Sequence, residues 1–228
     1  MIKRSQRRLV ALLALGVVAF VVSACGSDDE GESATSSDAE TTAQGECQEV
    51  EQPAPKPDTF KRAEPVLERG EKATATVETS CGSFEIALDT ESSPKTANSF
   101  AFLAEQGFYD ATTFHRIAPG FVIQGGDPNG DGTGGPGYSV VEAPPPDTVY
   151  SRGLVAMAKT ANEPSGTSGS QFFVVTAPAD AGLQPDYAVL GQVSSGEPVV
   201  DAIAALGDPA TEQPLQVVTI DSVTVESE

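Results

Sequence analysis

From about Gly70 to its C-terminus the sequence predicts a mainly β domain, a closed antiparallel barrel with two helices. Three observations lead there. Short apolar runs recur along this part of the chain. Glycine and proline clusters separate them, and the 228 residues include 22 Gly and 17 Pro. Two further stretches have helical rather than alternating spacing. About eight short strands with two helices suit a small closed barrel. The pattern leaves strand order open, and the chain shows no internal repeat.

The elements follow in order. Ala73, Ala75 and Val77 alternate with polar residues, as do Phe84, Ile86 and Leu88, and Ser80-Cys81-Gly82 lies between the runs. This reads as a β-hairpin. A helix comes next: Ser93 can cap it, Pro94 suits its first position, and Gly107 can stop it. Ala97, Phe100, Ala101, Leu103 and Ala104 give it an apolar face to plug one end of the β core. Short strands are expected at 113–117, 121–124, 154–158, 172–176 and 188–193. A second helix is expected at 198–206, ending at Gly207, and a last strand between Gln216 and Val225.

The N-terminus reads as an address. Lys3, Arg4, Arg7 and Arg8 precede an apolar run from Leu9 to Val22, which reaches Val22-Ser23-Ala24-Cys25. A charged start, an apolar middle and small residues before a cut describe a signal peptide. The alternative is a membrane anchor, but the 16 residues from Leu9 to Ala24 are short for a span. The segment resembles a bacterial lipoprotein signal, which implies that Cys25 receives the lipid. Residues 1–24 are then the signal, 25–69 an acidic flexible linker, and 70–228 the folded domain. The linker carries almost no large apolar side chain as far as Pro57, so burial cannot offset its ordering entropy. The expected location is the extracytoplasmic face of the cell membrane, held by the lipid.

Formal net charge is −20, from 13 basic and 33 acidic residues. Removing the four basic residues before Leu9 leaves 9 against 33, a net charge of −24. Such a surface repels phosphate backbones, which argues against nucleic acid as a partner. Cys47 and Cys81 remain. Outside the cytoplasm two leftover cysteines often pair; the alternative is two free thiols.

Two segments carry the chemistry. In Phe114 to Pro128, Arg116, Val122 and Gln124 share parity along an extended chain, with Phe121 close by after a Pro-Gly turn. In Gly169 to Val175, Gln171 and Phe173 point to one face. Amides beside aromatics in glycine-flanked strands fit a shallow groove for an extended peptide. His115 is the sole histidine, so a His-rich metal site is excluded. The glycines at 125–126 and 132–137 lack the Lys-Ser/Thr of a phosphate loop.

FHRIAPGFVIQGGDP, GTGG at Gly132 to Gly135, LVAMA at Leu154 to Ala158 and GSQFFVV, in that order, resemble the cyclophilin family of peptidyl-prolyl cis/trans isomerases. The resemblance implies an eight-stranded antiparallel barrel closed by two helices, with a groove on its outer face. It gives Arg116 the catalytic role, a guanidinium that stabilises the twisted prolyl amide. Phe121, Val122 and Phe173 would floor the proline pocket, Val122 standing where the family commonly has methionine. Gln124 and Gln171 would hold substrate backbone, Ala158 and Lys159 would add main-chain contacts, and Leu183 would close the rim. His115 would lie beside the groove. Tyr187 takes a position where the family often has histidine. Gly182 stands where it often has a tryptophan that contributes to cyclosporin binding, so weak cyclosporin affinity is expected. Substrates would be proline-containing polypeptides in exported or envelope proteins, no cofactor or metal is needed, and a monomer is expected. Two rival readings share the fold: a peptide-binding chaperone without turnover, and a structural envelope protein.

Overall fold

A computed structural model describes residues 46–56 and 58–228. The signal segment and Cys25 lie outside the described residues. Among the described residues no helix is long and apolar enough to cross a membrane.

The elements run β1 (Ala73–Thr79), β2 (Gly82–Leu88), α1 (Pro94–Glu105), β3 (Thr112–Thr113), β4 (Arg116–Ala118), β5 (Val122–Gly125), β6 (Val140–Val141), β7 (Leu154–Met157), β8 (Thr167–Ser168), β9 (Phe172–Val175), β10 (Val189–Ser195), α2 (Glu197–Ala204) and β11 (Thr219–Ser227). Nine of the strands form one antiparallel sheet in the order β3-β11-β1-β2-β10-β7-β9-β5-β4, and β6 pairs with β8 apart from it.

This corrects the expectation of a closed eight-stranded barrel. The hydrogen-bonded sheet is open, with β3 and β4 at its edges. Yet only Phe114 and His115 separate those edges along the chain. The single strand expected over 113–117 divides because its partners change. Thr112 and Thr113 pair with Ile220 and Thr219 of β11. Phe114 N–H then donates to Val218 O at 3.0 Å, and Ile117 N–H donates to Glu212 O at 2.9 Å. Covalent chain, not a ladder, joins the two edges.

The core sits on the concave face, with α1 closing it. Eight of the twelve α1 residues are buried, Phe100 and Leu103 completely. Phe100, Tyr109 and Phe114 surround Phe172 with ring centroids 5.7, 6.0 and 6.1 Å away, all near edge-to-face. Such pairs add stability beyond their buried area. Ser93 holds the N-cap position but makes no side-chain capping bond. The carboxylate of Glu142, far along the chain, accepts from Thr96 N at 2.9 Å and Lys95 N at 3.4 Å instead. An anion there suits both the free amides and the positive end of the helix.

The segment before the domain differs most from expectation. Residues 25–69 read as a free linker, but the described part lies against the domain as a strap. Cys47 is disulfide-bonded to Cys81. Lys56 Nζ donates to the carbonyls of Gly107, Phe108 and Asp110 at 2.8, 3.1 and 2.9 Å, just past the end of α1. Phe60 packs edge-on to Phe102 with centroids 5.4 Å apart. The Asn98 side chain accepts from Val66 N and Leu67 N and donates to Glu64 O. Composition misleads here because a few anchors suffice. Prolines at 53, 55 and 65 already fix φ, so less freedom is lost on docking.

Candidate active site

Strand register assembles the site. Arg116 on β4 faces Gln124 on β5, Gln124 faces Phe173 on β9, and Phe173 faces Ala156 on β7. Directly paired residues share a face of the sheet, so these four form a row. Phe172, one residue away, points to the opposite side and belongs to the main core. The row lies on the outer face, within a second apolar cluster. Its buried members include Val122, Tyr150, Ala156, Phe173 and Val175, with Phe121, Ala158, Leu183 and Tyr187 half-buried around them.

A chain of polar side chains crosses this floor. Glu212 accepts from Arg116 Nε at 2.7 Å and also lies 2.7 Å from Nη2. Arg116 Nη1 reaches Gln124 Oε1 at 3.4 Å. Gln124 Nε2 donates to Gln171 Oε1 at 3.0 Å, and Gln171 Nε2 donates to the carbonyls of Gly132 and Gly134, each at 3.0 Å. The guanidinium carbon stands 5.8 Å from the Phe121 ring centroid. Arg116 is thus held from several sides while a third of its side chain stays exposed. A guanidinium has five N–H donors, so each terminal nitrogen keeps one for a ligand.

Beyond the glutamines the groove opens into a pocket of about 530 Å³ lined by Gly132 to Ser139 on one side and Ala158 to Thr160 on the other. Its glycine-rich wall is organised by the buried carboxylate of Asp127, which accepts from the backbone amides of Asn129, Asp131 and Gly132. On the other flank, Tyr150 Oη donates to Tyr187 O at 2.6 Å and accepts from Tyr187 N at 3.0 Å. This fixes the Tyr187 ring edge-on to Phe173, with centroids 5.5 Å apart. Burial pushes the Tyr150 hydroxyl pKa up, so it remains a donor at neutral pH.

Arg116, Phe121, Val122, Gln124, Gln171, Phe173, Leu183 and Tyr187 therefore come together, and three expected residues behave differently. Ala158 lines the groove, but its N–H is already bonded to Gln171 O at 2.8 Å. The Lys159 side chain is only 3% exposed, and its ammonium binds Asp186 at 2.6 Å and the carbonyls of Thr160 and Glu163. It secures its own loop and holds the Asp186 carboxyl below its ordinary pKa. His115 is not on the apolar floor. It lies beside the wall, near Gly132, Asp127 and Asp131, with both ring nitrogens buried and unpaired. Burial lowers its pKa, against the pull of the two aspartates. Gly182 has a φ of +70° and nothing near the place of a Cβ, so no side chain covers the groove there.

Glu212, Asp127 and Tyr150 escaped the sequence reading. Glu212 lies 96 residues from Arg116, and its positive φ of 58° has no signature in the sequence. Asp127 is the third residue of the GGDP motif, where an acidic residue before proline and asparagine is a turn signal that could have marked it. Among the described residues no group of three or more His, Cys, Asp or Glu side chains could hold a metal ion.

A curled antiparallel sheet with two helices and a groove on its outer face is the architecture of the cyclophilins. Residues 74–225 match the family described as cyclophilin type peptidyl-prolyl cis-trans isomerase/CLD, and the chain belongs to that family. It is 43% identical to peptidyl-prolyl cis-trans isomerase B of Streptomyces anulatus, over 69% of this chain and 98% of that one. It is 37% identical to peptidyl-prolyl cis-trans isomerase A of Mycobacterium tuberculosis, over 67% and 92% respectively. A Cryptosporidium parvum cyclophilin solved in the presence of the dipeptide Ala-Pro is similar at a TM-score of 0.61 and 29% identity, covering 68% of this chain and 99% of that one.

Proposed function

We propose that this chain catalyses rotation about X-Pro bonds in exported or envelope polypeptides, with Arg116 as the catalytic group. The observation that carries the reading is the row Arg116-Gln124-Phe173, which sets an anchored guanidinium beside an apolar floor. The barrier to amide rotation is about 18–20 kcal/mol, because the C–N bond is partly double. Twisting breaks the resonance and leaves a lone pair on the proline nitrogen. A preset N–H donor can bind that lone pair, which the planar ground state does not present. That is stabilisation specific to the transition state. Phe121, Val122 and Phe173 hold the ring while Gln124 and Gln171 hold the flanking backbone. Tyr187 and Leu183 complete the pocket. The test is a protease-coupled prolyl peptide assay on wild type and Arg116→Ala. Equal rates in the two would leave a binder without turnover.

The lipid anchor at Cys25 and the extracytoplasmic location belong to the same proposal. The run from Leu9 to Cys25 supports them, as does the Cys47–Cys81 bond, since disulfides persist mainly outside the cytoplasm. Palmitate labelling that survives Cys25→Ala would refute the anchor.

A further inference from the structure

We propose that the strap formed by residues 46–56 and 58–69 is a positioning element for the groove: it pre-orders the glycine-rich wall against which a peptide lies. The inference rests on the isomerase reading of that groove. The strap precedes the family match at 74–225, so it is an addition to the shared fold.

The wall needs outside support. Between Asp127 and Tyr138 it contains glycines at 130, 132, 134, 135 and 137, each of which leaves the backbone free. Its inner side meets the groove, where Gly132 and Gly134 offer their carbonyls to Gln171. Its outer side meets the strap at both feet. Lys56 N–H donates to Pro128 O at 2.9 Å, and Phe60 N–H donates to Pro136 O at 2.7 Å. At Gly137, with φ +85°, a Cβ would come within 2.9 Å of Thr59 Cβ and 3.0 Å of Phe60 O, so strap and wall touch backbone to backbone.

The strap is itself fixed to rigid parts. Its Lys56 ammonium holds three carbonyls beyond α1, the Phe60 ring packs against Phe102 and Phe108, and Cys47 is bonded to Cys81 beside the first hairpin. It therefore bridges the helix end to the wall. Ordering a loop at the moment of binding weakens affinity, and ordering it beforehand removes that cost. The consequence is specific: peptides long enough to lie along the wall gain from the strap, and a minimal Ala-Pro substrate does not.

The experiment measures kcat and KM by exchange NMR for a six-residue peptide with a central proline and for a minimal Ala-Pro peptide. Amide hydrogen exchange is followed at Gly132 to Gly135 in the full chain. Phe60→Ala and Lys56→Met should raise KM for the long peptide about three- to tenfold. Both should leave kcat and the minimal peptide within about twofold and speed exchange in the wall. Asn98→Ala loosens the strap only beyond Glu64 and should lower stability without changing KM. Unchanged wall exchange in both Phe60→Ala and Lys56→Met would overturn the proposal. So would an equal KM rise for both peptides, or a similar rise in Asn98→Ala. If Phe60→Ala does not fold, Lys56→Met decides. A wild type without turnover would overturn the isomerase reading alone, and wall exchange would still judge the strap.

Discussion

Phe172 and Phe173 are adjacent on β9 and almost equally buried, at 0% and 4% exposure, yet they serve different regions. Phe172 enters the concave core among Phe100, Tyr109 and Phe114. Phe173 faces the convex side, between Tyr150 and Tyr187 and in register with Gln124, which touches Arg116. Low exposure therefore does not identify a core residue. The distinguishing feature is what borders the apolar surface. In the core it is more hydrocarbon. On the outer face it is a line of fixed donors and acceptors with an open side, the kind of surface a ligand completes.

The sharpest way to break this contrast is truncation. Phe172→Ala should cost about 3–5 kcal/mol of stability in a denaturant titration. Phe173→Ala should cost clearly less stability but raise KM for prolyl peptides. Equal stability losses with unchanged KM would make the outer cluster ordinary core. Arg116→Ala should lower kcat/KM by roughly a hundred- to a thousandfold, the range for losing a transition-state donor, with the melting temperature little changed. Arg116→Lys should not restore activity, because an ammonium cannot keep both the Glu212 and Gln124 contacts and still face the ligand.

Smaller effects refine the picture. Glu212→Gln should reduce kcat about fivefold through a less firmly held guanidinium, and Glu212→Asp should recover part of it. A change in KM alone would place Glu212 outside the positioning of Arg116. The smallest effect concerns His115. Its folded pKa lies below the ordinary 6.5, so the unfolded chain binds the proton more readily. Stability then falls as pH drops through 6.5 toward the folded value and levels off below it. His115→Gln should flatten that part of the curve relative to wild type, and parallel curves would refute the assignment.

What the sequence revealed was local. The hairpin at 73–88, the helix stopped by Gly107 and the parity of Arg116 with Gln124 follow from spacing and turn chemistry over a few residues. Family motifs then added the groove. What stayed hidden depends on distant partners. Glu142 replaces Ser93 at the head of α1, and Glu212 meets Arg116 across 96 residues. The break between β3 and β4 arises because Val218 and Glu212 each claim one side of it. The strap was hidden differently: its composition is that of a disordered segment, but Cys47, Lys56 and Phe60 each find a specific seat.

The pairing of the first strand with the last bears on how the domain is made. Ala73 lies opposite Ser227 and Val77 opposite Val223, so one side of β1 is flanked by β11, about 150 residues further along the chain. β3 likewise depends on Thr219 and Ile220. Long-range pairings form late because the intervening loop must close first. During vectorial synthesis the sheet stays incomplete until β11 has emerged. Until then β1 and β3 both lack their β11 partner, and the arrival of that one strand completes both pairings together.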